Sequence, residues 1–190
     1  ASAKPDRAAG SDRIQVAAIG CKKRGGRVAS DMERSGQFEV VALCDVDESM
    51  FANAQKNLDG TDAKPALLGD FRKALDDPKI DAVIVAVPDH WHATAACMAL
   101  DAGKHVYVEK PMSHNIGDGR AICNAQDKHG DLVVHVGTQH RSGAHFQECR
   151  DFIRGGGLGQ VAFCRAWMCQ MREAIPVMEP SDPPAGFDYD

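Results

Sequence analysis

Residues 82–111 read AVIVAVPDHWHATAACMALDAGKHVYVEKP, and the fold follows from how this stretch is read. Ala82 to Val87 is an unbroken apolar run stopped by Pro88. It shows no alternation of apolar and polar positions, as expected of a strand covered on both faces. Residues 89–102 then place Ala95, Ala96, Met98, Ala99 and Leu100 in a helix-like run, and Gly103 follows as a C-terminal cap. Val106 to Val108 returns to strand character and ends at Glu109. Strand, helix and strand in that order make a βαβ unit, with its strands parallel and its crossover right-handed.

The same alternation extends outward in both directions. Ile14 to Ile19 is closed by Gly20, Phe38 to Cys44 by Asp45, and Leu132 to Val136 leads into Gly137. Helices are predicted over 48–57 and 70–76, and from Asn115 to His129 with Ser113 as cap and Gly130 as stop. Ala66-Leu67-Leu68 is a short further strand. The fold class is therefore α/β, a doubly wound parallel sheet. Ligands of such sheets lie outside the carboxyl ends of the strands. Residues 20–25, 45–47, 87–92, 109–111 and 137–141 are thus the places to look for chemistry.

The organisation expected is a polar linker over 1–12, a nucleotide-binding domain over 13–140, and the start of a second domain over 141–190. In that last part Ser142 caps a helix with Phe146, Cys149 and Ile153 on one face. Gly155 to Gly159 is a hinge; with no Lys-Ser or Lys-Thr after it, it is not a P-loop. Val161 to Gln170 reads as a long strand, the first of an incomplete second domain. Unpaired, its edge would seek another chain, so a homo-oligomer is expected.

Composition narrows the function classes. The chain has 190 residues, with 22 Lys and Arg against 27 Asp and Glu, a net charge of −5 that gives no reason to seek a nucleic acid. No apolar run is long enough to cross a bilayer, so no membrane partner is expected. The seven cysteines include no CxxC pair, which argues against both a disulfide scaffold and a zinc ribbon. His90 with His92, and His140 with His145, lack a carboxylate or cysteine complement, so no metal is expected. Ala1-Ser2-Ala3 has the small-residue character of a signal-cleavage region, which would make the protein periplasmic. A cytoplasmic chain cut at an arbitrary point would look the same.

The loop Gly20-Cys21-Lys22-Lys23-Arg24-Gly25 meets the first and last glycines of a dinucleotide fingerprint, but has Lys22 at the middle one. That middle glycine ordinarily lets the backbone approach a pyrophosphate, so Lys22 is expected to crowd it while offsetting part of the cost by charge. Asp45 ends the second strand, where a carboxylate hydrogen-bonds ribose hydroxyls and repels a 2′-phosphate, favouring NAD over NADP. Read alone, the loop also fits an ordinary strand–turn–helix with a surface aspartate.

The stretch from Pro88-Asp89-His90-Trp91-His92 through Ala102-Gly103-Lys104-His105-Val106 to Glu109-Lys110-Pro111 resembles the Gfo/Idh/MocA family of nicotinamide-dependent oxidoreductases, with a Rossmann fold. The resemblance covers residues 13–170. It implies that Gly20, Gly25 and Asp45 hold the adenosine diphosphate half of NAD, and that Pro88, His92 and Glu109 meet the nicotinamide end. Lys22, Arg24 and Val87 complete the expected cofactor set. Lys110 is the implied catalytic residue, facing nicotinamide and substrate. An ammonium there can bind a sugar hydroxyl and stabilise the alkoxide that forms as hydride leaves. Gln139, His140 and Arg141 are the implied substrate-side residues.

The family's usual catalytic histidine lies in a domain that this chain does not include, so the 190 residues alone are expected to be inactive. Three functions are consistent with these residues. One is a sugar or cyclitol oxidoreductase. The second is a glycoside-cleaving enzyme that oxidises a hydroxyl transiently and regenerates its NAD. The third is a non-catalytic nucleotide-binding or assembly module.

Overall fold

A computed structural model describes residues 13–167, 176–177 and 179–187. The chain forms two compact units, Ala1–Gly137 with Ala185–Asp190, and Thr138–Pro184. The first holds six parallel strands: β1 (Ile14–Ile19), β2 (Phe38–Cys44), β3 (Ala66–Leu68), β4 (Ala82–Val85), β5 (His105–Glu109) and β6 (Val134–Gly137). Their spatial order is β3-β2-β1-β4-β5-β6. Five helices connect them: α1 (Arg24–Arg34), α2 (Ser49–Asn57), α3 (Arg72–Asp76), α4 (Asp89–Asp101) and α5 (Ile116–Lys128). The doubly wound sheet is as expected, including the short strand at Ala66–Leu68, which forms the sheet edge.

The two faces of the sheet carry separate apolar layers. Val16, Ala18, Val40, Leu43 and Ile84 pack with Val28 and Ala29 of α1 and Phe51 and Ala54 of α2. Alternate residues of β1 and β4, Ala17, Ile19, Val83 and Val85, pack together with Val106 and Val108 of β5 against Ala95, Ala96, Ala99 and Leu100 of α4 and Ile122 of α5. Successive strand residues point to opposite faces, so a strand covered on both sides must be apolar throughout. That is why the strands show no alternation. Sheet order reverses between β1 and β4, and helices from the two halves cover opposite faces. The crevice of such a sheet opens at that point, beyond the carboxyl ends of the strands.

Three details differ from expectation. The cap of α5 is Asn115, whose side chain accepts the Asp118 amide at 2.9 Å, whereas Ser113 donates to the Asn115 carbonyl. Asn115 thereby satisfies one orphan N–H of the first turn, while its own side-chain amide donates to the Asp118 carboxylate at 2.9 Å and fixes the cap. In the second unit, α6 (Ala144–Arg154) starts from Gly143 rather than Ser142, without a side-chain cap. Its Phe146, Cys149 and Ile153 are exposed.

The strand expected over Val161 to Gln170 is not formed over 161–167, where the chain has no regular structure; 168–170 lie outside the described residues. Val161, Phe163 and Trp167 are exposed, and Arg165 lies over the Phe163 ring at 5.7 Å. An extended segment gains ladder hydrogen bonds only beside another strand, and none is available here among the described residues.

Candidate functional site

The register of the sheet gathers the residues singled out at the strand ends. Ile19 pairs with Cys44 and with Val85, Val85 with Val108, and Glu109 with Gly137. Gly20, Asp45, Val87, Glu109 and Gly137 therefore share one rim. Gly20 has φ +87°, and a Cβ there would stand 2.6 Å from the Ala86 carbonyl oxygen. A Cβ on Gly25 would stand 1.8 Å from the Gly20 carbonyl oxygen. Both glycines are dictated by close backbone approach. Lys22 is exposed, and Lys23 takes φ +33° as the N-cap of α1.

Asp45 ties the loop to β2. Its carboxylate accepts the Cys21 amide at 2.7 Å and the Asp47 amide at 3.1 Å. An ionised carboxylate has about four lone-pair sites, so capacity remains for ribose hydroxyls. The residues present thus fit an adenosine diphosphate: a loop free of Cβ atoms where it folds most tightly, a helix N-terminus, and a carboxylate at the end of β2. Cys21, within the loop, and Cys44, at the end of β2, are buried. Burial first, and nearby aspartates second, push both thiols up, Cys44 to about 12, so both stay protonated and inert at neutral pH.

Across the crevice the rim is held by side chains. Glu109 is only 3% exposed, and its carboxylate is turned toward three donors: Arg24 Nε at 2.8 Å, the Tyr107 hydroxyl at 3.2 Å and the Lys110 amide at 3.1 Å. Burial works against the charge of Arg24, but the bond to Glu109 more than offsets it, and the guanidinium pKa is raised. Burial and the Glu109 carboxylate likewise raise the Tyr107 hydroxyl, keeping it a donor. Gly137 leaves room for this cluster, since a Cβ there would meet the Tyr107 hydroxyl at 2.6 Å and Glu109 Oε1 at 2.8 Å.

His92 is 2% exposed in the first turn of α4. Its Nδ1 lies 2.7 Å from the Pro111 carbonyl oxygen and its Nε2 2.9 Å from that of Val87. Pro88 is the N-cap of the same helix. Lys110 stands exposed at the end of β5, followed by a cis peptide bond to Pro111. Gln139, His140 and Arg141 form an exposed 3-10 turn in the second unit. Their neighbour Phe146 meets the rings of His140 and His145.

Sequence reasoning singled out Arg24, Glu109 and His92 as ligand contacts. It missed that they bind one another's loops, and it missed Tyr107 altogether. A polar residue two positions before Glu109 on the same strand face was the available signal.

The family model described as "Oxidoreductase family, NAD-binding Rossmann fold" (Gfo/Idh/MocA) matches residues 14–138. The chain belongs to the Gfo/Idh/MocA oxidoreductase family. Inositol 2-dehydrogenase of Salmonella typhimurium (strain LT2) is 30% identical over 122 residues, which are 64% of this chain and 35% of that protein. A glycosyl hydrolase family 109 protein of Shewanella sp. (strain ANA-3) is 36% identical over 111 residues, 55% of this chain and 24% of that one. The crystal structure of scyllo-inositol dehydrogenase from Lactobacillus casei, with bound NAD(H) and scyllo-inositol, superimposes with a TM-score of 0.70 at 23% identity. That match covers 77% of this chain and 42% of the other. The chain thus spans under half the length of each of these proteins. Among the described residues, no helix is long and apolar enough to cross a membrane.

Proposed function

We propose that this chain carries the nucleotide-binding part of an NAD-dependent oxidoreductase that acts on a hydroxyl group of a sugar, cyclitol or glycoside. The observation that carries the reading is the rim itself. An exposed Lys110 at the end of β5 shares that rim with the Gly20–Gly25 loop and Asp45, at the point where the sheet order reverses. NAD, when bound, supplies a hydride acceptor. Gly20 and Gly25 let the backbone close around the diphosphate, with α1 presenting its N-terminus. Asp45 binds the ribose hydroxyls and disfavours a 2′-phosphate, which supports NAD over NADP. Lys110 binds the substrate oxygen and stabilises the negative charge that develops there, and can pass its proton onward. Gln139, His140 and Arg141 are proposed substrate-side residues.

The relative in glycosyl hydrolase family 109 favours a second reading, transient oxidation that cleaves a glycoside and regenerates NAD. One experiment tests both. The intact protein is titrated with NAD and then incubated with inositols, hexoses and aryl glycosides. Net NADH from a polyol supports the oxidoreductase; cleavage of the glycoside without net NADH supports the second reading. Failure to bind either NAD or NADP would leave only a non-catalytic module.

A further inference from the structure

The exposed Lys110 would be expected to wander, since its long side chain has many rotamers and the loop that bears it lies at the carboxyl rim of the sheet. Its backbone, however, is gripped on both sides by buried side chains, Glu109 of its own strand and His92 of α4. Ahead of it, Glu109 Oε2 accepts the Lys110 amide at 3.1 Å. Glu109 cannot turn away, because Oε1 is held by Arg24 of α1 at 2.8 Å and by Tyr107 at 3.2 Å. Behind it, the His92 ring sits between two carbonyl oxygens, with Nε2 2.9 Å from that of Val87 and Nδ1 2.7 Å from that of Pro111, to which an N–H on Nδ1 donates.

We propose that these groups form a two-sided clamp on Lys110, in which Glu109 and His92 are positioning residues rather than ligand contacts. The proposal deepens the oxidoreductase reading and rests on Lys110 being its substrate-facing group. Three observations favour the clamp over direct contact. Glu109 and His92 are almost fully buried, at 3% and 2% exposure. Both oxygens of Glu109 and both ring nitrogens of His92 already face protein partners. The partners come from separate loops, those after β1, β4 and β5, so the clamp fixes Lys110 relative to the nucleotide loop as well as to its own strand. Arg24 is the physical link, since it opens α1 directly beside the glycine loop and reaches Glu109 across the rim. Catalysis depends on such placement: an error of about 1 Å in a reacting group can cost on the order of 100-fold in rate.

The clamp is tested in the intact protein by replacing His92 with Asn, Gln and Phe. The amide nitrogen of Asn falls near the position of Nδ1 and can still reach the Pro111 carbonyl. That of Gln falls near Nε2 and serves Val87 instead. Phe serves neither. The expected result is a kcat loss of about 10- to 100-fold for His92→Phe and His92→Gln, with NAD affinity changed far less, and substantial recovery of kcat in His92→Asn. Equal kcat per folded molecule in all three would overturn the clamp and leave His92 a merely structural residue.

A second measurement needs no turnover. Hydrogen exchange at the Lys110 amide should be slow in the unaltered protein and at least several-fold faster in Arg24→Gln, where Glu109 is freed to rotate. Fast exchange in the unaltered protein, or no change in Arg24→Gln, would also overturn it. A protein that makes no NADH from any polyol but keeps a protected Lys110 amide would refute the oxidoreductase reading and leave the clamp standing.

Discussion

The two loops that face each other across the crevice are held in place by opposite means. The Gly20–Gly25 loop depends on missing atoms: Gly20 and Gly25 carry no Cβ where the backbone of Ala86 and of Gly20 itself comes within van der Waals contact. The Glu109–Pro111 loop depends on added ones, with Arg24, Tyr107 and His92 supplying hydrogen bonds from three elements. A backbone fold around a phosphate needs amides close to the ligand, and any side chain there is in the way. A reactive ammonium needs a defined position, which calls for buried partners. The two loops should therefore fail differently when altered, the first by steric collapse and the second by loss of placement.

The largest effect is expected from Gly25→Ala. Its new methyl would fall 1.8 Å from a backbone oxygen, so the loop or helix α1 must move. Overpacking costs about 1–3 kcal/mol and occasionally more, and a clash with fixed backbone belongs at the upper end. Urea denaturation should show a lowered midpoint with an unchanged slope, and NAD binding should be lost. Gly137→Ala comes next. Its methyl meets the ends of Tyr107 and Glu109, which are side chains rather than fixed backbone but shift only by loosening the hydrogen bonds that hold them, so about 1–2 kcal/mol is expected by the same measurement. Unlike the first, this variant should still bind NAD, and its defect should appear in turnover.

A third test concerns the floor beneath the glycine loop. Cys44, pushed up by burial to about 12 from an ordinary 9.0, keeps its proton in the folded chain after the unfolded chain has lost it. Its contribution to stability is whole below the unfolded pKa and is lost as pH rises toward the folded one, by linkage. Cys21 and Tyr107 shift in the same direction. Stability should therefore be flat through neutrality and fall above about pH 9. Cys44→Ala should fall less steeply in that range, as read by denaturation midpoints at a series of pH values.

Most of this comparison's first half was legible in the sequence. The strands could be found because burial on both faces forces continuous apolar runs. Gly20 and Gly25 were marked by the strand before them and the helix after. Asp45 stood where a strand ended. The second half was not legible, and the reason is distance along the chain. Arg24 and Glu109 are 85 positions apart, and nothing local says that one loop reaches the other rather than a ligand. His92 looked like a wall residue because its spacing from Pro88 gives its place on α4 but not what each ring nitrogen meets. The strand predicted from Val161 onward is absent over 161–167 for a related reason: its pattern is sound, but a strand also needs a neighbour.

Cofactor choice gives a smaller effect. Asp45→Asn keeps an oxygen for the Cys21 amide while removing the charge that repels a 2′-phosphate. A hydrogen bond to a charged group is worth about 1.5–3 kcal/mol, so the ratio of NAD to NADP affinity should fall at least about tenfold. Calorimetric titration with each dinucleotide reads that ratio directly. An unchanged ratio would mean that the cations of the loop, and not Asp45, set the preference.

The smallest effect is expected at Lys22, which stands where the fingerprint has its middle glycine. The side chain is exposed, so replacing it should leave the fold intact and act only on the ligand. Two contributions compete. A side chain at this position keeps the backbone from a diphosphate, while its ammonium attracts one; an exposed charge pair is worth only about 0.2–1 kcal/mol. Lys22→Gly should thus tighten NAD binding, by about two- to fivefold, because relief of crowding outweighs a charge that water and salt already screen. Lys22→Met separates the two, since it keeps the bulk and loses the charge, and it should bind slightly more weakly than the unaltered protein. Titrations at low and high salt complete the test. If crowding dominates, Lys22→Gly stays tighter than the unaltered protein at both. If binding instead weakens, with a shallower dependence on salt, the ammonium holds the diphosphate and substitutes for the glycine it replaces.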